Sequence, residues 1–159
     1  MTAELATRKL IIRPATRQDA LRIAPLIRRE DLEEWIALAP LHKSPSVVRS
    51  MIRGIESGEA WYAEEEDGTP VAIGGLAEHD GLSAPWLMAT PAIARHGREA
   101  LRQGRRTLRA WKDRGVPLAN VVSARHRRAV RYVKACGYEI LRAFSAHGER
   151  FFIFGAGHV

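Results

Sequence analysis

The chain has 159 residues, 46% of them hydrophobic and 27% charged, a balance that suits one folded domain, 1–159, and excludes collagen-like, low-complexity and disulfide-scaffold classes. Cys136 is the single cysteine, so no intrachain disulfide forms, no Cys/His spacing points to a metal, and a reducing compartment is expected. The net charge of +7 is segregated: residues 95–134 carry 13 Lys/Arg against 2 Asp/Glu, whereas residues 1–94 carry 10 against 14. Such a basic belt suits a polyphosphate cofactor, nucleic acid or an acidic protein, and its bland alternative is a solvated helical face.

In chain order, "KLIIRPA" (9–15) alternates and is β-branched, which predicts a strand ended by Pro14. Thr16 with Asp19 three residues on reads as a capping-box variant opening a helix through Ala20, Ile23, Ala24 and Ile27. Helical patterns follow at 30–38 and 46–57, broken by Pro40 and Pro45 and closed by Gly58. "EAWYAEEE", the turn pair Asp67-Gly68 and "PVAIGGLAEHD" predict a hairpin, and "SAPWLMATP" a short apolar strand between Pro85 and Pro91.

From Arg95 to Arg114 one stripe carries Gly97, Leu101, Gly104, Leu108 and Trp111, with arginines opposite. "LANVVSA" reads as a buried strand, and 127–136 as a helix stopped by Gly137. "YEILRAFSA" and "ERFFIFGA", joined at His147-Gly148, close the chain as a hairpin. The coarse order β-α-α-β-β-β-α-β-α-β-β predicts an α/β (α+β) domain, a mixed, twisted central sheet flanked by helices. No apolar run approaches the ~20 residues of a membrane helix, and the N-terminus has no apolar core of a signal peptide, so secretion by that route is not expected.

With "IIRPATRQDA" opening and "AVRYVKACGYEI" closing, this order resembles the GNAT acyltransferase superfamily over almost the whole chain. The resemblance implies that the strand "PWLMAT" splays from its neighbour and pairs with the pantetheine arm of acetyl-CoA. It also implies that the turn into the next helix holds the pyrophosphate on amide N–H groups. It places cofactor contacts at Leu87, Met88 and Thr90 on that strand, at Arg95, His96, Gly97 and Arg98 in the turn, and at His126 and Arg131 in the last helix.

Two departures stand out. Arg98 occupies the central glycine of the family's Arg/Gln-x-x-Gly-x-Gly/Ala signature, and Val133 stands where a tyrosine commonly protonates the leaving thiolate, with Tyr132 one residue away. The candidate catalytic residues are therefore Tyr132 and, at a strand end near the centre, Glu78 and His79; Asp80 adjoins them. His42, His96, His126, His147 and His158 have no spacing that argues for a metal or a triad.

"GLAEHDGLSAPWLMATPAIARHGREALRQGRRTLRAWKD" and "VPLANVVSARHRRAVRYVKACGYEI" are also similar to the acyltransferase-like small internal virion proteins of short-tailed bacteriophages. That likeness implies a virion-associated GNAT-fold protein, a pseudoenzyme whose acyl transfer is in question, located in the virion or host cytoplasm. Its expected partners are other virion proteins, a second copy of itself, or nucleic acid along residues 95–134. The alternative is an active acetyl-CoA-dependent N-acetyltransferase acting on a small-molecule or protein amine.

Overall fold

A computed structural model describes residues 9–39, 46–79 and 81–157. The segment before Lys9, and Pro40, His42, Pro45, Asp80 and His158, lie outside the described residues. Strand β1 (Leu10–Pro14) leads into α1 (Arg17–Ile23), a short 3-10 turn (Ala24–Leu26), α2 (Arg29–Leu38) and α3 (Val47–Ser57). Three helices, one more than in the coarse order, thus separate β1 from β2 (Glu59–Glu65). There follow β3 (Pro70–His79), β4 (Leu82–Ala89), a 3-10 turn (Pro91–His96), α4 (Gly97–Asp113), β5 (Leu118–Ser123), α5 (Arg127–Cys136), β6 (Glu139–Ala146) and β7 (Glu149–Ala156).

The seven strands form one sheet in the order β1-β2-β3-β4-β5-β7-β6. Every neighbouring pair is antiparallel except β4 and β5, which are parallel, as a crossover through α4 requires. One face packs α1 and α3 through Ala20, Ile23 and Met51 onto Tyr62, Ile73 and Met88. The other packs α4 and α5 through Leu108, Trp111, Val133 and Cys136 onto Leu118, Val122 and Phe154.

Local chemistry sets the helix ends. Thr16 and Asp19 form the expected capping box, and Asp19 also takes both Nη atoms of Arg13, at 2.7 and 2.8 Å. The helix expected from Arg95 starts as a tighter turn, because Pro91 follows Thr90, whose hydroxyl accepts the Ala92 N–H. At the end of α5, Gly137 adopts φ 114°, which lets the Tyr138 N–H reach the Val133 carbonyl at 3.0 Å.

Gly104 is a different case, since a Cβ there would sit 2.5 Å from both the Cys136 sulfur and the Tyr132 hydroxyl oxygen. The missing side chain is what lets α4 approach α5. Gly97, in the same helix, faces open space. Two Gly→Ala changes in one helix should therefore have opposite signs. Gly97→Ala gains about 0.5–1 kcal/mol from helix propensity, and Gly104→Ala loses about 1–3 kcal/mol to overpacking. Chemical denaturation of the two variants measures both.

Candidate active site

Strands β4 and β5 pair only at Ser83 and Leu118 and then part. Thr90 donates its N–H to Val71 on β3, so by alternation Ser83, Pro85, Leu87 and Ala89 turn their backbone groups toward β5. On β5, Ala124 donates to Arg150 beyond the start of β7, so Val121 and Ser123 face β4. These groups would be orphaned in the opening without partners. Near the apex Asn120 supplies two of them: its Oδ1 accepts the Val121 N–H at 2.8 Å and its Nδ2 donates to the Pro85 carbonyl at 2.7 Å. Pro85 has no N–H to satisfy.

Helix α2 bridges the open end. Asp31 accepts the Ala89 N–H at 2.8 Å, the Ala89 carbonyl accepts the Arg28 N–H at 2.7 Å, and Glu34, one turn on, accepts the Ser123 N–H at 3.0 Å. Asp31 also lies 2.6 Å from His126 Nε2 and 2.9 Å from Arg28 Nε. His126 caps α5 by accepting the Ala129 N–H at Nδ1, which assigns its proton to Nε2, pointed at Asp31. The result is a window with β4 and β5 as jambs, Asn120 at the apex and α2 as lintel. Leu87 turns its N–H and C=O into it, beyond the last β4–β5 pair.

A cleft of about 1300 Å³ reaches both faces of the sheet through this window. Trp35, Met51 and Trp86 line it on one side and Gly97, Leu101 and Tyr132 on the other. A smaller hollow of about 510 Å³ adjoins it beneath α2 and the start of α5; Glu30, Glu34 and Arg128 line both. Burial pushes the Asp31 carboxyl up, but His126, Arg28 and the Ala89 N–H outweigh it and hold the group below the ordinary range. For Glu34 burial wins over the Ser123 N–H and His126, and its carboxyl lies above the ordinary range.

The residues expected from sequence fall into three places. Leu87 lies in the window, whereas Met88 points to the opposite core and Thr90 donates its hydroxyl to the Pro70 carbonyl at 2.7 Å. In the turn before α4, Arg95 and His96 both hold Glu65, a carboxylate buried to 1% exposure, at 2.7–3.0 Å. They fasten the turn to β2, and leave Gly97 and Arg98 exposed at an α4 N-terminus that no side chain caps. His126 is buried on Asp31, while Arg131 is exposed at the cleft wall.

Tyr132 donates its hydroxyl to the Ala100 carbonyl at 2.9 Å, and burial drives that hydroxyl's pKa strongly upward, so in this geometry it packs α5 against α4. Val133 is buried in the core beside it. Glu78 is exposed and accepts the Ser83 hydroxyl at 3.0–3.1 Å, and His79 ends β3 opposite Leu82; both stand at the paired end of β4 and β5.

Sequence reading missed Arg28, Asp31, Glu34 and Asn120. The available signals were a polar residue inside the apolar run "LANVVS", and two carboxylates three residues apart beside Leu32 and Trp35. Among the described residues no cluster of three or more His, Cys, Asp or Glu side chains is arranged for a metal, and no helix is long and apolar enough to cross a membrane.

Solved structures with this architecture include N-acetyltransferases. An aminoglycoside acetyltransferase in complex with coenzyme A is 17% identical, with a TM-score of 0.63 over 94% of this chain and 95% of that one. A spermidine N-acetyltransferase from Vibrio cholerae in complex with CoA and spermine is 13% identical, with a TM-score of 0.64 over 92% and 94%. A GNAT-family acetyltransferase from Streptococcus pneumoniae is 15% identical, with a TM-score of 0.61 over 93% and 99%. The chain has the GNAT fold. No family model matches it and no curated protein does, and nothing found supports kinship with phage virion proteins.

The lintel makes a prediction about acid stability. Asp31 and Asp19 both have carboxyls held below the ordinary range, so their contribution is present above the unfolded pKa and is lost as pH falls through the folded one. These two groups make stability fall below about pH 4. Glu34, shifted the other way, acts above its unfolded pKa, so it makes stability rise somewhat as pH falls toward that range, before the acid loss begins. Asp31→Ala, which strands His126 and Arg28, should cost about 3–5 kcal/mol at neutral pH and flatten the acid limb, measured by urea unfolding from pH 3 to pH 8.

Proposed function

We propose that the protein is an acetyl-CoA-dependent N-acetyltransferase. One observation carries the reading: the window between β4 and β5, into which Leu87 turns an N–H and a C=O, opens on a cleft that joins both faces of the sheet. When bound, acetyl-CoA supplies an acetyl thioester. The donors present suit it. The α4 N-terminus offers uncapped N–H groups at Gly97 and Arg98 beside an arginine fork, a polarity that favours a pyrophosphate. Leu87 offers a narrow polar edge for a pantetheine amide. Asp31 and the Arg28 N–H already hold Ala89, so main-chain pairing on β4 is confined to Leu87.

Titration calorimetry with acetyl-CoA tests this reading. Wild-type protein should bind, Arg98→Ala should bind several-fold more weakly, and Leu87→Pro should bind weakest because it deletes the Leu87 N–H turned into the opening. No binding by the wild type would overturn the proposal.

A second reading, contact with nucleic acid, is favoured by a specific pattern. Arg98, Arg102, Arg105, Arg109 and Lys112 recur along one exposed side of α4, and Arg127, Arg131 and Lys134 along α5. Affinity for a mixed-sequence duplex should then fall steeply with salt and vary little with sequence. Fluorescence anisotropy from 50 to 200 mM salt measures it, and absence of binding at low salt excludes it.

A further inference from the structure

We infer that Glu34 is the general base that deprotonates the acceptor amine, so that the base lies on the helix bridging the window and not on the central strands. This rests on the acetyltransferase reading above. Four acids line the cleft: Glu30, Asp31, Glu34 and Glu78. Asp31 is committed to two donors, His126 and the Ala89 N–H, and to the Arg28 ion pair. Glu78 accepts the Ser83 hydroxyl beside the Ser83–Leu118 pair, at the closed end of the strands. Glu30 lies in the first turn of α2 and, unlike Glu34, holds neither strand end.

Glu34 differs from all three. One oxygen is fixed by the Ser123 N–H at 3.0 Å, which orients the carboxylate at the end of β5 and leaves its second oxygen for a substrate proton. Like Glu30 it lines both the main cleft and the smaller hollow, but only Glu34 of the two is fixed at the end of β5, so an amine entering through the hollow meets an oriented carboxylate there. The charged groups around it are Arg28, Glu30, Asp31 and Glu33 at and along its own helix, Arg125, His126, Arg127 and Arg128 at the start of α5, and Glu149 on β7. Burial raises its carboxyl toward the operating range of a base.

The step balances as follows. An ammonium acceptor gives one proton to Glu34, which passes it to solvent. The nitrogen forms the N–C bond to the acetyl carbonyl as the C–S bond breaks. The second nitrogen proton ends on the departing sulfur and the third stays on the amide.

The test is Glu34→Gln in the full chain, a change that keeps an oxygen to accept the Ser123 N–H. Thiol release from acetyl-CoA is followed with spermine, ribostamycin and a lysine-containing peptide as acceptors, beside calorimetry with acetyl-CoA and a carboxyl ¹³C NMR titration. The expected result has four parts: acetyl-CoA affinity and melting temperature unchanged, amine-stimulated thiol release reduced by ~10²–10⁴, the ascending acid limb of the pH profile lost, and one upward-shifted glutamate resonance removed. A variant that binds acetyl-CoA and transfers at the wild-type rate overturns this assignment alone. Wild-type protein that fails to bind acetyl-CoA overturns it together with the acetyltransferase reading. Binding without amine-stimulated release by the wild type overturns the base while leaving the cofactor site.

Discussion

When two parallel strands part inside a sheet, each loses its ladder partner, and every second N–H and C=O along both inner edges must find another or stand in solvent. Buried orphan groups cost about 1–3 kcal/mol each, so a splayed sheet persists only where something replaces the ladder. Here Asn120 supplies two of the missing bonds near the apex, and Asp31, Arg28 and Glu34 supply three at the open end. The opening is held apart by satisfied bonds, and it leaves the N–H and C=O of Leu87 turned inward.

The same bonds position α2. Its carboxylates hold β4 at Ala89, β5 at Ser123 and α5 at His126, so three elements distant in sequence meet at one turn of helix. Local propensity contributes little to this. Arg28 gives α2 no side-chain N-cap bond, and its exposed Arg29–Glu33 pair is of the weak surface kind. The helix is placed by its buried acid groups. On the opposite face Gly104 draws α4 and α5 together, and the cleft reaches the window past Gly97, Leu101 and Tyr132.

The departures from the family pattern acquire a physical meaning in this setting. Val133 fills core volume, and Tyr132 donates its hydroxyl to the Ala100 carbonyl, so both residues join α5 to the core and to α4. Arg95 and His96 are absorbed by Glu65, which makes the turn before α4 a braced structure rather than a pliable glycine loop. What remains exposed at the helix start, Gly97 and Arg98, is compatible with an anion held partly by backbone and partly by a guanidinium.

Much of the fold was legible in the sequence because local rules agreed with the global arrangement: the Thr16–Asp19 box, the Asp67-Gly68 and His147-Gly148 turns, the Gly137 stop and the alternating strands each name their own element. The apolar stripe of α4 was legible too, since its spacing needs no knowledge of what it packs against. The site was less so. Leu87, Gly97 and Arg98 were named by the resemblance to the GNAT pattern, but Asp31 and Glu34 look in sequence like any other acids in "REDLEEW". Their roles depend on backbone N–H groups at Ala89 and Ser123, 58 and 89 residues away. A sequence records which side chains carry charge; only the tertiary structure decides which of them meets an unpaired amide, and that meeting shapes the window and its electrostatics.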